Sequence, residues 1–521
     1  MAVFEWTLIL LAAAVALTAT ARRIGAPYPA LLALGGTALA LVNYSPAFQL
    51  DPSLVLALFV APVLLDAAYD TSLRDLRANW IPVVSLVVIA VVITTAAVAA
   101  LVHAMVPGIP WAAAIALGAI VAPPDAAAAT AVLRPLRLPH RLVVILEGES
   151  LLNDASALMI YRVAVASLMS QQTDGWRLAP TFLLAIAGSG VLGHVMARLF
   201  ARTVGRINDA PSQIVLQFVG TFGIWLLADH LGLSPIVTIV VFGLTASRYT
   251  AGETPARLRV PSFAVWETVV FVLNVLAFIL IGLQVRPILA ALEPAQRLVY
   301  LRVALAVLFV VVAVRAGWIA TYMQAALWKA KRFGGGRWPG PILPTWKGAA
   351  IVIWCGMRGI VTLAAAYALP MASAGSPGVP YRDLIVLCAF GVVVGTLVLQ
   401  GLTLRPLISA LRIRADRSVD QEVQHASERL AHVALEALSG DHSSEARALR
   451  RELTAQINQS AHEELAHQPT THDVLRARIV TAQRQALVEL RDANEIGDDA
   501  FHQLEERLDW AELNAQAMNE A

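Results

Sequence analysis

The stretch Glu147-Gly-Glu-Ser-Leu-Leu-Asn-Asp154 places three carboxylates, an amide and a hydroxyl inside an apolar run from about Arg141 to Leu168. That run is long enough to cross a bilayer, and ionisable groups at that depth are costly and usually line an ion or substrate path. At about 100° per residue, Ser150, Asn153 and Asp154 fall within roughly one third of the helix circumference, and the two leucines between them point away. The polar groups therefore converge on one side of the helix, as a binding site requires.

A second interpretation of this stretch is a polar seam that holds helices together. Interhelical hydrogen bonds do so through Ser, Thr or Asn side chains. Three acids suit that role poorly, because an unpaired buried charge costs several kcal/mol. The acids therefore favour an ion path.

The composition indicates a polytopic membrane protein. Of 521 residues, 58% are hydrophobic and 15% are charged, and the net charge is +2. The two cysteines, Cys355 and Cys388, lie in apolar runs, which argues against a disulfide framework or a zinc site. No Walker-type Gly-Lys-Ser/Thr loop is present, so ATP-driven pumping has no support. We expect a transporter and not an enzyme, with no cofactor and no nucleic-acid partner.

Hydropathy predicts about thirteen spans, the first of which, Val3 to Thr20, is interpreted as a retained helix and not as a cleaved signal. The predicted spans begin near Val3, Pro27, Ser53, Trp80, Ile109, Arg141, Thr181, Ser212, Ser234, Ala264, Leu298, Trp346 and Leu384. Basic residues concentrate in alternate loops. This bias predicts an N-terminus outside the plasma membrane and a C-terminal tail in the cytoplasm.

The composition changes after Arg414, which predicts a membrane domain over residues 1–414 and a tail over residues 415–521. Apolar residues from Val419 to Ala437 recur at helical spacing, and later segments look similar, so we expect a short bundle of amphipathic helices. Seven of the 11 histidines lie in this tail: His425, His432, His442, His462, His467, His472 and His502. They are either solvated surface residues or pH sensors, since histidine titrates near neutrality.

Two further acids lie in predicted spans. Asp66 is near the cytoplasmic end of the third span, where it is either a residue that reaches for the interface or a member of the site. Asp125 follows Pro123 and Pro124 inside an apolar span. Two prolines block continuation of a helix, and helices broken at membrane depth bind ions in secondary transporters. A simple proline kink is the alternative.

Arg358 lies between Gly356 and Gly359 in the twelfth span, where glycines permit an unwound backbone. A lone arginine there needs an acid partner. We prefer Glu149, because Asp154 must stay free to titrate, and Glu147 is the alternative. The two interrupted spans lie one in each half of the membrane region, the pattern of inverted repeats.

These residues resemble a known family. The strings Gly148-Glu-Ser-Leu-Leu-Asn-Asp154, Pro62-Val-Leu-Leu-Asp-Ala-Ala-Tyr69, Gly356-Met-Arg-Gly359 and Leu399-Gln-Gly-Leu-Thr-Leu-Arg-Pro406 are similar to those of the monovalent cation/proton antiporter-1 family, over most of residues 1–411. That family includes bacterial sodium/proton antiporters and mammalian sodium/proton exchangers. The resemblance implies an all-α polytopic membrane protein with inverted repeats and broken crossing helices. It also implies a homodimer in which a core domain moves against a dimerisation domain.

The resemblance also implies roles for individual residues. Asp154 would bind cation or proton in turn, supported by Asn153 and Ser150, with Asp125 contributing from the broken helix. Transported Na⁺ would then contact Asp154, Asp125 and Ser150. Glu149 would pair with Arg358 as a structural bridge, and Asp66 would approach the site through water.

One departure from the family concerns the broken helix, which usually reads Thr-Asp-Pro. Here Pro124 replaces the threonine and Ala126 the following proline. Pro124 keeps its carbonyl but offers no hydroxyl, which bears on ion selectivity and not on the class of transport.

The expected function is Na⁺/H⁺ antiport, with Li⁺ as a further substrate, in pH and sodium homeostasis. Burial disfavours the ionised form of a carboxylate, so cation and proton compete for Asp154. Asn153 stands where a second acid would add a proton, so one cation exchanges for one proton without net charge. K⁺/H⁺ antiport, a cation channel, and a membrane anchor for a signalling tail are the alternatives.

Overall fold

The computed structural model describes residues 2–41, 52–125, 138–170, 179–250, 255–333, 345–371 and 378–413, then 416, 418–440 and scattered positions between 443 and 508. The chain divides into two compact units, Met1–Asp416 and Arg417–Ala521. Over the described part of the first unit, the regular elements are helices and none is a strand. The prediction of an all-α polytopic fold is therefore confirmed.

The helices of the first unit follow one another with short connections. They are α1 (Ala2–Ile24), α2 (Tyr28–Ala40), α3 (Pro52–Val55), α4 (Ala61–Asp70), α5 (Leu73–Ala78), α6 (Trp80–Val84), α7 (Val91–Met105), α8 (Trp111–Val121) and α9 (His140–Ser170). Then come α10 (Ala179–Val204), α11 (Ala210–His230), α12 (Pro235–Thr250), α13 (Ala256–Leu283), α14 (Val285–Ala291), α15 (Pro294–Phe333), α16 (Trp346–Trp354), α17 (Ile360–Tyr367) and α18 (Arg382–Leu411). Single π-helical stretches, Leu56–Val60 and Ser85–Ala90, join α3 to α4 and α6 to α7.

The predicted spans correspond to these helices. Within the described ranges, nine helical segments are long and apolar enough to cross a bilayer, and α2, α8 and α12 are shorter apolar helices. The twelfth predicted span is the broken pair α16 and α17. The tenth start, predicted near Ala264, is eight residues late, since α13 begins at Ala256. Arg257 and Arg259 suggested a loop, but both are exposed on the helix while Leu258 between them is buried.

Small residues let two helices meet backbone to backbone. A methyl group on Gly36 of α2 would overlap the carbonyl oxygen of Ile279 on α13, and one on Gly282 would overlap that of Ala33. Close approach at small residues is how helices associate where the hydrophobic effect between them is weak. This contact fixes α13 against α2.

The largest apolar core surrounds the broken helices. It includes Leu117 of α8, Ile351 of α16, Leu363 of α17 and Cys388 of α18, all buried. Residues of α7, α9 and α15 complete it. A second core joins α4, α10, α11 and α12, and Leu151 of α9 packs in it. Helix α9 therefore has one side in each core.

The tail unit contains α19 (Ser418–Ala437), which coincides with the predicted apolar periodicity from Val419 to Ala437. The later predicted segments lie mostly outside the described residues, as do His442, His462, His467, His472 and His502. The side chain of His432 is exposed. The regulatory role of the tail stays a prediction.

Candidate functional site

The two broken helices lie against each other. Helix α8 ends at Val121 and the chain continues without helix to Asp125, while residues 355–359 separate α16 from α17. The backbone N–H of Asp125 donates to the carbonyl oxygen of Met357 at 2.7 Å. Pro123 and Pro124 supply no donor to continue α8, so the break falls where the sequence predicted it. The breaks bring unwound backbone from distant parts of the chain to one place.

Gly359 lets the Asp125 side chain lie on the second break. A methyl group at Gly359 would overlap the carboxylate of Asp125. The absence of a Cβ at this position is therefore needed for the observed arrangement.

Helix α9 presents Asn153 and Asp154 to the break. Asn153 is fully buried, and its Nδ2 donates to the carbonyl oxygen of Pro124 at 2.8 Å. Its Oδ1 is buried without a hydrogen-bond partner among the described residues. Asp154 is buried and close enough to Asp125 for the two carboxylates to repel each other. Ser150, one turn before Asp154, is also buried.

This arrangement gathers five of the predicted residues: Asp154, Asn153, Asp125, Pro124 and, one turn away, Ser150. Carboxylate, amide and hydroxyl oxygens are hard ligands that suit hard cations. Two adjacent buried carboxylates cannot both carry a charge unless a proton or a cation compensates one of them. The site can therefore bind either one.

Asp66 lies in a cavity between α4 and its neighbours. The cavity has a volume of about 110 Å³ and is lined by Asp66, Tyr69, Asp70, Gln217 and Trp266, among others. The Gln217 Oε1 accepts hydrogen bonds from Ser262 Oγ at 2.8 Å and from Trp266 Nε1 at 2.5 Å. We call this the tail-side cavity, because α4 ends at the same membrane face as α18, the last helix before the tail unit. A role for Asp66 in cation binding stays a prediction.

Arg358 binds backbone carbonyls and not an acid. Its Nε donates to the oxygen of Val121 at 3.1 Å, its Nη2 to that of Ala122 at 3.2 Å, and its Nη1 to that of Gly356. The C-terminal carbonyls of a helix have no partner within the helix and carry partial negative charge. Arg358 therefore closes the end of α8 and ties the two breaks together.

The prediction of a Glu149–Arg358 ion pair is wrong, because Arg315 of α15 occupies the place next to Glu149. Arg315 Nη1 lies 2.5 Å from Glu149 Oε1, and Nη2 lies 2.9 Å from Oε2. The same guanidinium donates to the carbonyl oxygen of Val352 through Nε at 3.0 Å and Nη2 at 2.8 Å. This bidentate pair is fully buried, and such planar pairs are among the strongest charged hydrogen bonds.

Sequence reasoning missed Arg315, although it left a signal. It is a single arginine near the centre of α15, in the apolar run between Leu305 and Ile319. A charge at that depth requires a partner. The flanking glycines drew attention to Arg358 instead, whose demand for hydrogen bonds is met by carbonyls that only the break exposes. Thr396, which accepts the Arg358 backbone N–H at 3.0 Å, carried no comparable signal.

Comparison with known proteins gives a consistent result. A family model described as sodium/hydrogen exchanger, transmembrane, matches residues 9–410. A sodium, potassium, lithium and rubidium/H⁺ antiporter of Bacillus pumilus is 29% identical over 75% of this chain and 59% of its own length. An uncharacterised Na⁺/H⁺ exchanger of Mycobacterium bovis is 29% identical over 97% of this chain and 94% of its own. The Na⁺/H⁺ antiporter ApNhaP of Aphanothece halophytica is 28% identical over 75% and 71%.

The fold is also found among solved structures. The sodium proton antiporter MjNhaP1 of Methanocaldococcus jannaschii, at pH 8, superimposes with a TM-score of 0.60 and 17% identity, covering 78% of this chain and 98% of that one. At this identity the similarity concerns the fold alone.

Proposed function

Because the chain belongs to the sodium/hydrogen exchanger family, we propose that it is a secondary antiporter that exchanges a monovalent cation, Na⁺ or Li⁺, for a proton. The observation that carries this proposal is the buried pair of neighbouring carboxylates, Asp154 and Asp125. Glu149, on the same helix, is already neutralised by Arg315. The buried charge that remains to be compensated is therefore at Asp154 and Asp125.

The proposed cycle uses this requirement directly. With a proton or a cation bound, the site is close to neutral and can change access from one face to the other, and without either it carries a net negative charge that resists burial. Each passage then carries one species or the other. The Asn153 amide, held by the Pro124 carbonyl, adds an oxygen ligand without adding a proton site. One cation therefore exchanges for one proton, without net charge movement.

The remaining site residues have supporting roles in this proposal. Asp125 and Ser150 complete the oxygen ligands for the cation, Arg358 holds the broken helices, and Asp66 supplies negative charge in the tail-side cavity. The protein would contribute to pH and sodium homeostasis in the plasma membrane, with its N-terminus outside and its tail in the cytoplasm. We also propose a homodimer, on the family resemblance.

A K⁺/H⁺ antiporter is the second candidate. Pro124 offers no hydroxyl to the ion, and the B. pumilus relative is named for potassium and rubidium as well as sodium and lithium. A cation channel is the third candidate, and it differs in that its flux would not drive protons in the opposite direction.

Reconstitution tests the function. Proteoliposomes that contain a pH-sensitive dye are given Na⁺, Li⁺ or K⁺ in turn, and exchange appears as proton flux opposite to the cation gradient. Asp154→Asn should abolish this flux in folded protein, because the amide can neither release a proton nor balance a cation. Wild-type flux in Asp154→Asn would contradict the site, and cation flux without proton flux would indicate a channel.

The matched control is Asp209→Asn. Asp209 is outside the membrane core at the start of α11, where its Oδ2 accepts the Ser212 N–H at 3.0 Å. Asn caps helices as well as Asp does. Asp209→Asn should therefore exchange at the wild-type rate, which separates loss of the site from loss of any carboxylate.

A further inference from the structure

A second cavity opens at the membrane face opposite the tail-side cavity. Its volume is about 380 Å³, and its walls come from the start of α3, the second half of α9, the end of α11 and the start of α12. We call it the far-side cavity. Its charged lining residues are Arg162 of α9 and Asp229 of α11, and both side chains are exposed.

The lining of the far-side cavity leads to the site along one face of α9. Ala155, Leu158, Met159 and Arg162 line it at helical spacing. Ala155 directly follows Asp154, and Leu158 is one turn beyond Asp154. Arg162 is two turns beyond, about 12 Å along the helix at 1.5 Å per residue. A cation that reaches Asp154 through this cavity therefore passes a fixed positive charge.

The two cavities differ in charge. The tail-side cavity has two carboxylates, Asp66 and Asp70, and one arginine, Arg259. The far-side cavity has one of each sign, Asp229 and Arg162. Charges that line a narrow cleft alter the local concentration of a mobile ion and the rate at which it arrives. The tail-side cavity therefore attracts a monovalent cation more strongly than the far-side cavity does.

We propose that Arg162 sets the cation affinity of the far face, and so makes the exchanger bind its cation more weakly there than at the tail face. This inference depends on the proposed antiport and adds a specificity-determining residue outside the site itself. Arg162 does not touch the ion at Asp154 and acts by electrostatic repulsion across the cavity. It cannot change the final ion gradient, which the exchange ratio fixes, so its effect is confined to the apparent KM at one face.

The test compares membrane vesicles of the two orientations. Added protease removes the tail only where the tail face is outside, which identifies the orientation. The apparent KM for Na⁺, or for K⁺ or Li⁺ if the wild type accepts only those, is then measured at each face. Arg162→Gln should lower the far-face KM about two- to tenfold, the range that Coulomb's law gives for a unit charge ~12 Å away between the dielectric of water and an effective value of ~20. The tail-face KM should stay unchanged.

Two further variants complete the test. Arg162→Lys keeps the charge and should keep the wild-type far-face KM, and Asp229→Asn should raise it. Choline chloride at high concentration should shrink both differences, since salt screens exposed charges.

A far-face KM that Arg162→Gln leaves unchanged, or that Arg162→Lys lowers equally, would overturn the proposal. If Arg162→Gln does not fold, a far-face KM that Asp229→Asn does not raise overturns it as well. Wild-type vesicles with no cation-driven proton flux would instead overturn the antiport function, and this inference with it.

Discussion

Glu149 and Asp154 are five positions apart on α9 and meet opposite electrostatic surroundings. Five residues turn the helix by about 140°, so the two side chains leave it in different directions. Glu149 meets the guanidinium of Arg315, whereas Asp154 meets the carboxylate of Asp125. One acid is thereby committed to structure, and the other is left to bind proton or cation.

The Glu149–Arg315 pair gives a stability prediction at this scale. Removing one partner of a buried ion pair leaves an uncompensated charge and costs about 3–5 kcal/mol. Glu149→Gln and Arg315→Gln should each destabilise the protein by an amount in that range, and the double variant by clearly less than their sum. Melting of the four proteins in detergent measures the coupling.

Arg74→Gln is the control for this cycle. Arg74 is largely exposed beside Asp75, and exposed ion pairs contribute about 1 kcal/mol or less. Additive effects of Glu149→Gln and Arg315→Gln would show that the two side chains do not interact in the membrane.

Among the elements, the broken helices were predictable in position but not in contact. Pro123 and Pro124, and the glycines around Arg358, are local signals that end a helix wherever they occur. That the Asp125 N–H binds the Met357 carbonyl is a contact across more than 200 residues, and no local pattern encodes it. The partner of Arg358 depended on that contact, so the predicted ion pair failed while both predicted breaks held.

The second break gives a prediction at the scale of the element. Gly359→Ala adds a methyl group in the space of the Asp125 carboxylate, so either Asp125 moves or α17 shifts. We expect exchange to fall by at least tenfold, because misplacing groups by about 1 Å costs on the order of 100-fold in well-positioned sites. Proton flux in proteoliposomes at equal protein content measures this.

The matched control is Gly190→Ala in α10. A methyl group there meets nothing within 4 Å, and alanine favours a helix over glycine by about 1 kcal/mol. This variant should exchange normally and melt no lower than wild type. Equal activity in Gly359→Ala and Gly190→Ala would show that Asp125 need not lie on the second break.

For the whole molecule, thirteen spans and the site residues near Asp154 followed from the sequence, because burial in lipid imposes long apolar runs and makes each acid conspicuous. The two cavities did not follow. Their walls come from five or so helices each, and which faces meet depends on packing between distant parts of the chain. Arg162 was unremarkable in sequence and acquires meaning only from the cavity that it lines.

The exchange ratio is a property of the whole molecule. If Asp154 takes one cation or one proton and Asn153 stays neutral, the cycle moves no net charge. Liposomes clamped at different voltages with K⁺ and valinomycin should then reach the same final Na⁺ gradient for a given pH gradient, provided that Na⁺ is transported. A final gradient that depends on voltage would mean more than one proton per cation, and Asp125→Asn and Asp66→Asn would show which carboxylate carries the second.

The tail unit gives the last prediction, and the structure decides where to cut. The site groups all precede residue 414, so exchange should not require the tail. However, Asp416 Oδ2 accepts the backbone N–H of His140 at 3.0 Å, and His140 is the first residue of α9, the helix that carries Asp154. A cut at Arg414 would remove this cap together with the tail. A cut after Asp416, at the boundary of the two units, removes the tail alone.

We expect the chain ending at Asp416 to exchange measurably and to show a shifted pH dependence, because most of the histidines lie beyond the cut. Asp416→Ala in the full chain is the complementary variant, which removes the cap and keeps the tail. Exchange rate against pH, at equal incorporation, compares both with wild type. A shift in the truncated chain alone assigns pH sensing to the tail, and a shift in Asp416→Ala alone assigns it to the start of α9. Superimposable profiles for the truncated and full-length chains would remove the tail from pH regulation.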